Sequence, residues 1–259
     1  GIFWRESDRA SKNTCSNAPA AAAALRLYLF TGKQSYLETG LALARWTTSH
    51  LQDTDGLFWD SIRLNGEVEK TKWSYNSALM IRVNCLQYEA TGSGAFLSEA
   101  KRIATASIQR WIDPQTGGVR DGAAFAHLLL QAMLSLYRQD HDEHLEQVVY
   151  RALDYLHASL RDANGLYSEN WDTPLSGAPP EVSLLGQASA ARAFLIAASG
   201  GNLEVHRKHG SGNRPDSSLH DRGVLGMAHV PVKRLSICQS RRQPVRVLSA
   251  PVRKVSAAG

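Results

Sequence analysis

Two short stretches of this 259-residue chain place flat aromatic rings beside amides and a lysine. One runs from Gly1-Ile2-Phe3-Trp4 to Ser11-Lys12-Asn13-Thr14-Cys15-Ser16-Asn17. The other is Lys72-Trp73-Ser74-Tyr75-Asn76, sixty residues on when Lys12 is matched to Lys72. A ring covers the apolar C–H face of a sugar, while amide and ammonium groups bond its hydroxyls. Trp4, Lys12, Asn13, Asn17, Trp73, Tyr75 and Asn76 are therefore candidate sugar contacts. The same residue types also serve structure alone, since rings at helix ends seal the rim of a core and Asn17 or Asn76 can cap a helix.

Cleaving a glycosidic bond needs two carboxyl groups, one to protonate the leaving oxygen and one to attack or to activate water. The loop acids available are Asp53 with Asp55, Asp60, Asp121, and Glu169 with Asp172. Asp60, between Trp59 and Ser61, is the best placed for a substrate contact. No two of them declare themselves a catalytic pair, and solvated surface charge accounts for loop acids equally well. His141 with His144, and His206 with His209, have helical spacing but no third ligand, so neither a metal nor another cofactor is expected. Cys15, Cys85 and Cys238 are odd in number and form no CxxC pair, which reads as free thiols.

The elements that must position these groups emerge from a repeat. Thr31-Gly32 followed by Tyr36-Leu37 and Trp46 recurs as Thr91-Gly92, Phe96-Leu97 and Trp111, with a fainter copy from Asp140 through His144-Leu145. Such periodicity marks a repeated supersecondary unit. After each mark Leu37, Leu41 and Ala44, then Leu97, Ala100 and Ile103, then Leu145, Val148, Val149 and Ala152 fall on one face at helical spacing. Ser35 with Glu38 has the form of a capping box. Before the marks, residues 18–30, 78–88, 123–137 and 184–198 are apolar nearly all round, so these helices must be surrounded by protein. Gly32, Gly92 and Gly200 stand where a left-handed helix stop favours glycine. The expected fold is all-α, an array of inner and outer helices numbering seven. Its long loops, residues 53–76, 113–122 and 162–181, emerge together at one end, where functional groups concentrate.

Charge divides the chain near residue 201. Lys and Arg outnumber Asp and Glu by 11 to 3 from residue 202 onward, against 18 to 21 before it. We expect a folded domain over 1–201 and a disordered basic tail over 202–259, because that tail lacks Phe, Tyr and Trp and cannot build a core. Arg241, Arg242, Arg246, Arg253 and Lys254 could neutralise phosphates, but single-strand binding also wants aromatic platforms. No nucleic-acid partner is expected. The longest nearly apolar stretch, 18–30, is broken by Arg26 and falls short of the roughly 20 residues of a membrane span. The chain opens at Gly1 without a secretory leader pattern, so a processed or truncated start is expected.

The order GIFW, KNTCSN, AAAAALRLYLFTG with SYLETGLALARW, DGLFWD and KWSYN, from Gly1 to about Trp111, resembles glycoside hydrolase family 76, the α-1,6-mannanases. A weaker likeness continues through Gly165 to Trp171 (GLYSENW) and Gly186 to Leu195 (GQASAARAFL). The resemblance implies part of an (α/α)6 barrel of six hairpins, an α-mannan-like oligo- or polysaccharide as partner, and a place outside the cell or in its envelope. The chain departs from the family at Tyr75-Asn76-Ser77-Ala78, where Tyr-Asn-Gln-Gly is usual. It departs again at Ala124-Phe125-Ala126-His127, where a Gln-Phe-Lys-Gly-like element is usual. It also contains no Asp-Asp, the family's catalytic pair, which the resemblance places upstream of the GIFW motif. No catalytic residue is therefore assigned within the chain; the pair is expected before Gly1, and the chain alone is expected to be inactive. Two rival readings are a sugar epimerase or unsaturated-glycuronide hydrolase, for which His127 is the only histidine on an inner helix, and a non-catalytic helical-repeat interaction module.

Overall fold

The structure is a computed structural model that describes residues 1–175 and 182–199. Its elements are β1 (Ser11–Asn13), α1 (Thr14–Thr31), α2 (Gln34–Leu51), β2 (Ser61–Arg63), β3 (Val68–Glu69), α3 (Ser74–Thr91), α4 (Gly94–Trp111), α5 (Ala123–Asp140), α6 (Glu143–Ser159) and α7 (Leu184–Ala198). The described residues thus hold the seven helices expected. Gly200 and the segment 202–259, on which the tail was expected, lie outside the described residues.

Helices α1, α3, α5 and α7 form an inner row in which each packs on the next, and α2, α4 and α6 lie outside it. The core runs between the rows, with Leu25, Ile81, Met80, Ile103, Leu130, Met133, Leu136 and Leu156 essentially inaccessible. Burial of such side chains is worth roughly 1.5–3 kcal/mol each and is the main force assembling the array. The middle inner helices are enclosed as their composition demands. The outermost two are not: Leu27 and Phe30 on α1, and Leu184 and Leu195 on α7, are exposed.

Each hairpin turns through a left-handed residue whose N–H bonds back to a tyrosine carbonyl. Gly32 (φ 70°) bonds to Tyr28 and Gly92 (φ 71°) to Tyr88, both at 2.7 Å. The third hairpin repeats the bond from His141 to Tyr137 with φ 55°, a conformation that costs a side-chain-bearing residue more than glycine.

One local expectation is corrected. Ser35 does not cap α2, which begins at Gln34 with Lys33 at its N-cap and no side-chain cap; Ser35 lies inside the first turn, where its carbonyl accepts from Thr39 Oγ1. A small sheet accompanies the helices of this all-α array. A three-stranded antiparallel sheet, β1-β2-β3, pairs Asn13 with Ser61 and Ser61 with Glu69. Strands of two or three residues are too short for alternation to register in a sequence. The inner helices α1 and α3 also start four residues before their apolar runs, taking in Thr14 to Asn17 and Ser74 to Ser77.

Candidate functional site

Three loops carry one backbone frame to the ends of the inner helices. Asp53, Asp113 and Asp162 each open a tight turn, their N–H groups bonding to Leu57, Gly118 and Leu166 carbonyls at 2.8, 2.9 and 2.8 Å. Isolated bridges follow, Gln52 with Phe58, Ile112 with Val119 and Arg161 with Tyr167. Two residues beyond Phe58, Val119 and Tyr167 stand Asp60, Asp121 and Glu169, so the repeat delivers an acid to the same place three times.

Their tasks differ. The Asp121 carboxylate accepts the N–H of Ser74, the first residue of α3, at 2.9 Å. Glu169 Oε1 accepts from Ser183, the N-cap of α7, through both N–H (2.7 Å) and Oγ (2.8 Å). Both therefore satisfy helix starts, where backbone N–H groups lack partners and the helix dipole favours negative charge. At α1 the backbone does this work, as the Asp60 carbonyl accepts from Thr14 N at 2.9 Å. That leaves the Asp60 carboxylate to two side-chain amides, Asn13 Nδ2 at 3.2 Å and Asn76 Nδ2 at 3.4 Å.

Around Asp60 the structure gathers five of the eight candidate residues. Asn13 ends β1, and Asn76 sits in the first turn of α3, wholly buried with an Oδ1 that lacks a hydrogen-bond partner. Tyr75 stacks on Phe125 (centroids 4.6 Å, 24°), and Trp73, 39% exposed, leans on the same ring at 5.3 Å. Burial raises the Tyr75 phenol well above its ordinary range, and the Cys15, Asp60 and Asp121 side chains add to the effect. Burial likewise raises the Cys15 thiol, despite its hydrogen bond with Tyr75, so neither group ionises near neutrality. Behind the platform Lys72 Nζ bridges Asp53 (2.5 Å) and Asp55 (2.6 Å), while Trp59 Nε1 donates to Asp53 at 3.2 Å. This ties the loop carrying Asp60 to the start of α3.

The other three candidates stand apart. Asn17 is wholly buried, with Nδ2 donating to the Ile2 and Asn13 carbonyls at 3.0 and 2.9 Å, so it clamps the N-terminal segment. Lys12 precedes Asn13 on β1, so it faces the opposite side, with Nζ 4.9 Å from the Phe3 ring and 5.5 Å from Trp46. Trp4 is 54% exposed in the same N-terminal segment, its N–H bonded to Ser11 O. Sequence reasoning passed over Phe125, the shared stacking partner, and the capping roles of Asp121 and Glu169. The signal for those roles was present in DxxGLF, DxxxGGV and DxxGLY, each followed two residues later by an acid.

His127, on which an epimerase-like reading would turn, is 8% exposed with Nδ1 3.0 Å from the Ala123 carbonyl. Burial lowers its pKa. Among the described residues no group of three His, Cys, Asp or Glu could hold a metal ion, and no helix is long and apolar enough to cross a membrane.

Residues 1–177 match the family model described as Glycosyl hydrolase family 76. The chain is 31% identical over 112 residues to Mannan endo-1,6-alpha-mannosidase DCW1 of Candida glabrata, a match covering 41% of this chain and 25% of that protein. The fold is similar to the GH76 alpha-mannanase BT2949 of Bacteroides thetaiotaomicron, with TM-score 0.70 and 31% identity over 73% of this chain and 53% of the other. It is also similar to the alpha-1,6-mannanase GH76A of Salegentibacter sp. HEL1_6, with TM-score 0.70 and 27% identity over 77% of this chain and 63% of the other. That structure is an inactive variant, with two consecutive aspartates changed to asparagine, in complex with alpha-1,6-mannotriose. The chain therefore spans a quarter of the curated relative and between half and two thirds of these solved ones.

Proposed function

This chain belongs to glycosyl hydrolase family 76, and from that premise we propose that it builds the sugar-contacting mouth of an enzyme that hydrolyses α-1,6-linked mannan. The observation that carries this reading is the Asp60 carboxylate, the one of the three repeated acids (Asp60, Asp121, Glu169) whose carboxylate accepts no bond from a helix-start N–H. Held by Asn13 and Asn76 beside Trp73 and Tyr75, it can accept a sugar hydroxyl while the rings cover the apolar face of the pyranose.

Asp60 does not make a catalytic pair with the acids nearest it in the repeat, because the Asp121 and Glu169 carboxylates are held by helix N-termini. Hydrolysis requires an acid and a nucleophile or base. We assign both to polypeptide other than residues 1–199, and the enzyme's site of action to the cell exterior or envelope, where mannan polymers are met. In this reading the chain binds and orients, and chemistry follows only when a carboxyl pair is brought over the mouth.

The test is to titrate the purified chain with α-1,6-mannotriose and to assay reducing sugar from α-1,6-mannan. Binding that Asp60→Asn weakens, without hydrolysis, is expected. Fusion to family 76 helices bearing consecutive aspartates should then confer activity that is lost when either becomes asparagine. Hydrolysis by the isolated chain, abolished by Asp60→Asn, would place the catalytic carboxylate inside this sequence; absence of binding would remove the sugar-contact reading.

A further inference from the structure

The outer helices α2 and α4 leave between them a groove with a cavity of about 360 Å³. That lies within the range of roughly 300–1,000 Å³ typical of small-molecule sites. Its floor is α3, through Asn84 and Gln87, 4% and 5% exposed. Asn84 Nδ2 donates to the Met80 carbonyl at 2.9 Å, and the Gln87 side-chain amide has no hydrogen bond to any other described residue.

The repeat shows that the fold does not ask for amides there. Aligning the inner helices on the tyrosine of each terminal turn (Tyr28, Tyr88, Tyr137) places Gln87 opposite Leu27 and Leu136, and Asn84 opposite Ala24 and Met133. The next groove along, between α4 and α6, is accordingly lined by Leu136 and rimmed by the Lys101–Asp140 ion pair at 2.9 Å, with a smaller cavity of about 210 Å³. The Gln87 amide, largely buried but with its polar atoms open to the groove, contributes less to packing than leucine would. The two amides thus present donors and acceptors to whatever fills the groove.

We infer that the α2–α4 groove is a second carbohydrate site, taking one neutral pyranose unit. The Phe96 ring and Leu41 form an apolar wall for the C–H face, and the Asn84 and Gln87 amides with the Thr48 hydroxyl meet the ring of hydroxyls. The groove lies on the outer helices, away from the helix starts that surround Asp60. A polymer held at both places gains avidity, because its second contact is intramolecular. The ligand class rests on the mannan reading, whereas the site rests on Gln87 and the groove.

The experiment follows the side-chain amide signals of Asn84 and Gln87 and the Trp73 indole by nitrogen-edited NMR while methyl α-mannoside, then α-1,6-mannotriose, is titrated into the full chain. The amides should shift on titration in the parent and equally in Trp73→Ala. Gln87→Leu should raise thermal stability, as leucine stands there in the neighbouring helices, while weakening groove binding about tenfold. Phe96→Ala should weaken it without that gain. Amide signals that stay fixed under both sugars, or that move only when Trp73 is intact, overturn the inference. Groove signals that move while the Trp73 indole does not would instead remove the reading of the mouth and leave this one standing.

Discussion

The carboxylate of Glu169 occupies the space in which Gly186 would carry a side chain. A Cβ on Gly186 would overlap it, and Ser183 Oγ joins the two residues by donating to Glu169 and accepting from Gly186 N at 3.0 Å. The glycine inside α7 is therefore a condition for the loop acid to reach the helix start. Gly186→Ala should lower the thermal midpoint, although alanine is the better helix former by about 1 kcal/mol. Overpacking costs roughly 1–3 kcal/mol, and the net loss should be about 1 kcal/mol. Combining it with Glu169→Ala should reverse the sign, so that alanine at 186 stabilises; a stabilising Gly186→Ala in the parent would show that the two residues do not meet.

The third hairpin should respond in the opposite direction. His141 holds φ 55° where the first two hairpins use Gly32 and Gly92. His141→Gly should stabilise by about 0.5–1 kcal/mol, observed as a higher denaturation midpoint. The change should leave the Tyr137 capping bond intact, so unaltered helical circular dichroism is part of the expectation.

At the mouth, partial exposure separates binding from stability. Trp73→Ala should weaken α-1,6-mannotriose binding about tenfold, or about 1.4 kcal/mol, with little change in midpoint. Asn76→Ala should weaken binding and also cost roughly 1–3 kcal/mol of stability, because Asn76 is wholly buried and holds Asp60. Calorimetric titration paired with thermal melts reads both effects, and equal affinity of Trp73→Ala and parent would return the ring to a packing role.

The loop turns carry a pH signature. Asp113 accepts from the Gln115 and Thr116 N–H groups and pairs with Arg120 at 2.7 Å, with its pKa lowered to about 2. A carboxyl depressed on folding stabilises fully above its unfolded pKa of about 3.9, and that contribution fades as pH falls toward 2. Asp113→Ala should therefore lower the midpoint at pH 5–7 and converge on the parent near pH 2. A difference that stays constant across this range would mean that the charge contributes nothing.

The helical array was legible because its signals are long. Four apolar runs and the glycines at 32 and 92 specify inner helices and their stops without tertiary information. Much of the site was not, for physical reasons that differ by residue. Asn13, Tyr75 and Asn76 could be named from residue type, but the same logic admitted Asn17 and Lys12. Which side of a three-residue strand faces the mouth is decided by pairing with Ser61, a contact across 48 positions of sequence. The equivalence of Asp60, Asp121 and Glu169 was blurred because the second turn contains one more residue than the other two. That only the Asp60 carboxylate is left free of a helix-start N–H depends on which atom, carbonyl or carboxylate, reaches the backbone.

The exposed leucines on α1 and α7 have a consequence for motion. In a row of hairpins each element gains stability from its neighbours, so an array with two ends loses it fastest there. Among the described residues α3 and α5, flanked on both sides, should exchange their amide hydrogens only through global opening, while α7 and the last turn of α1, where Leu27 and Phe30 are exposed, exchange through local fraying. The mouth sits at the slow end of this gradient. Asn76 and Tyr75 ride on a slow-exchanging helix, and Asn13 leads into the first turns of α1, where Thr14, Asn17 and Ala18 are inaccessible, so Asp60 is gripped firmly from both sides.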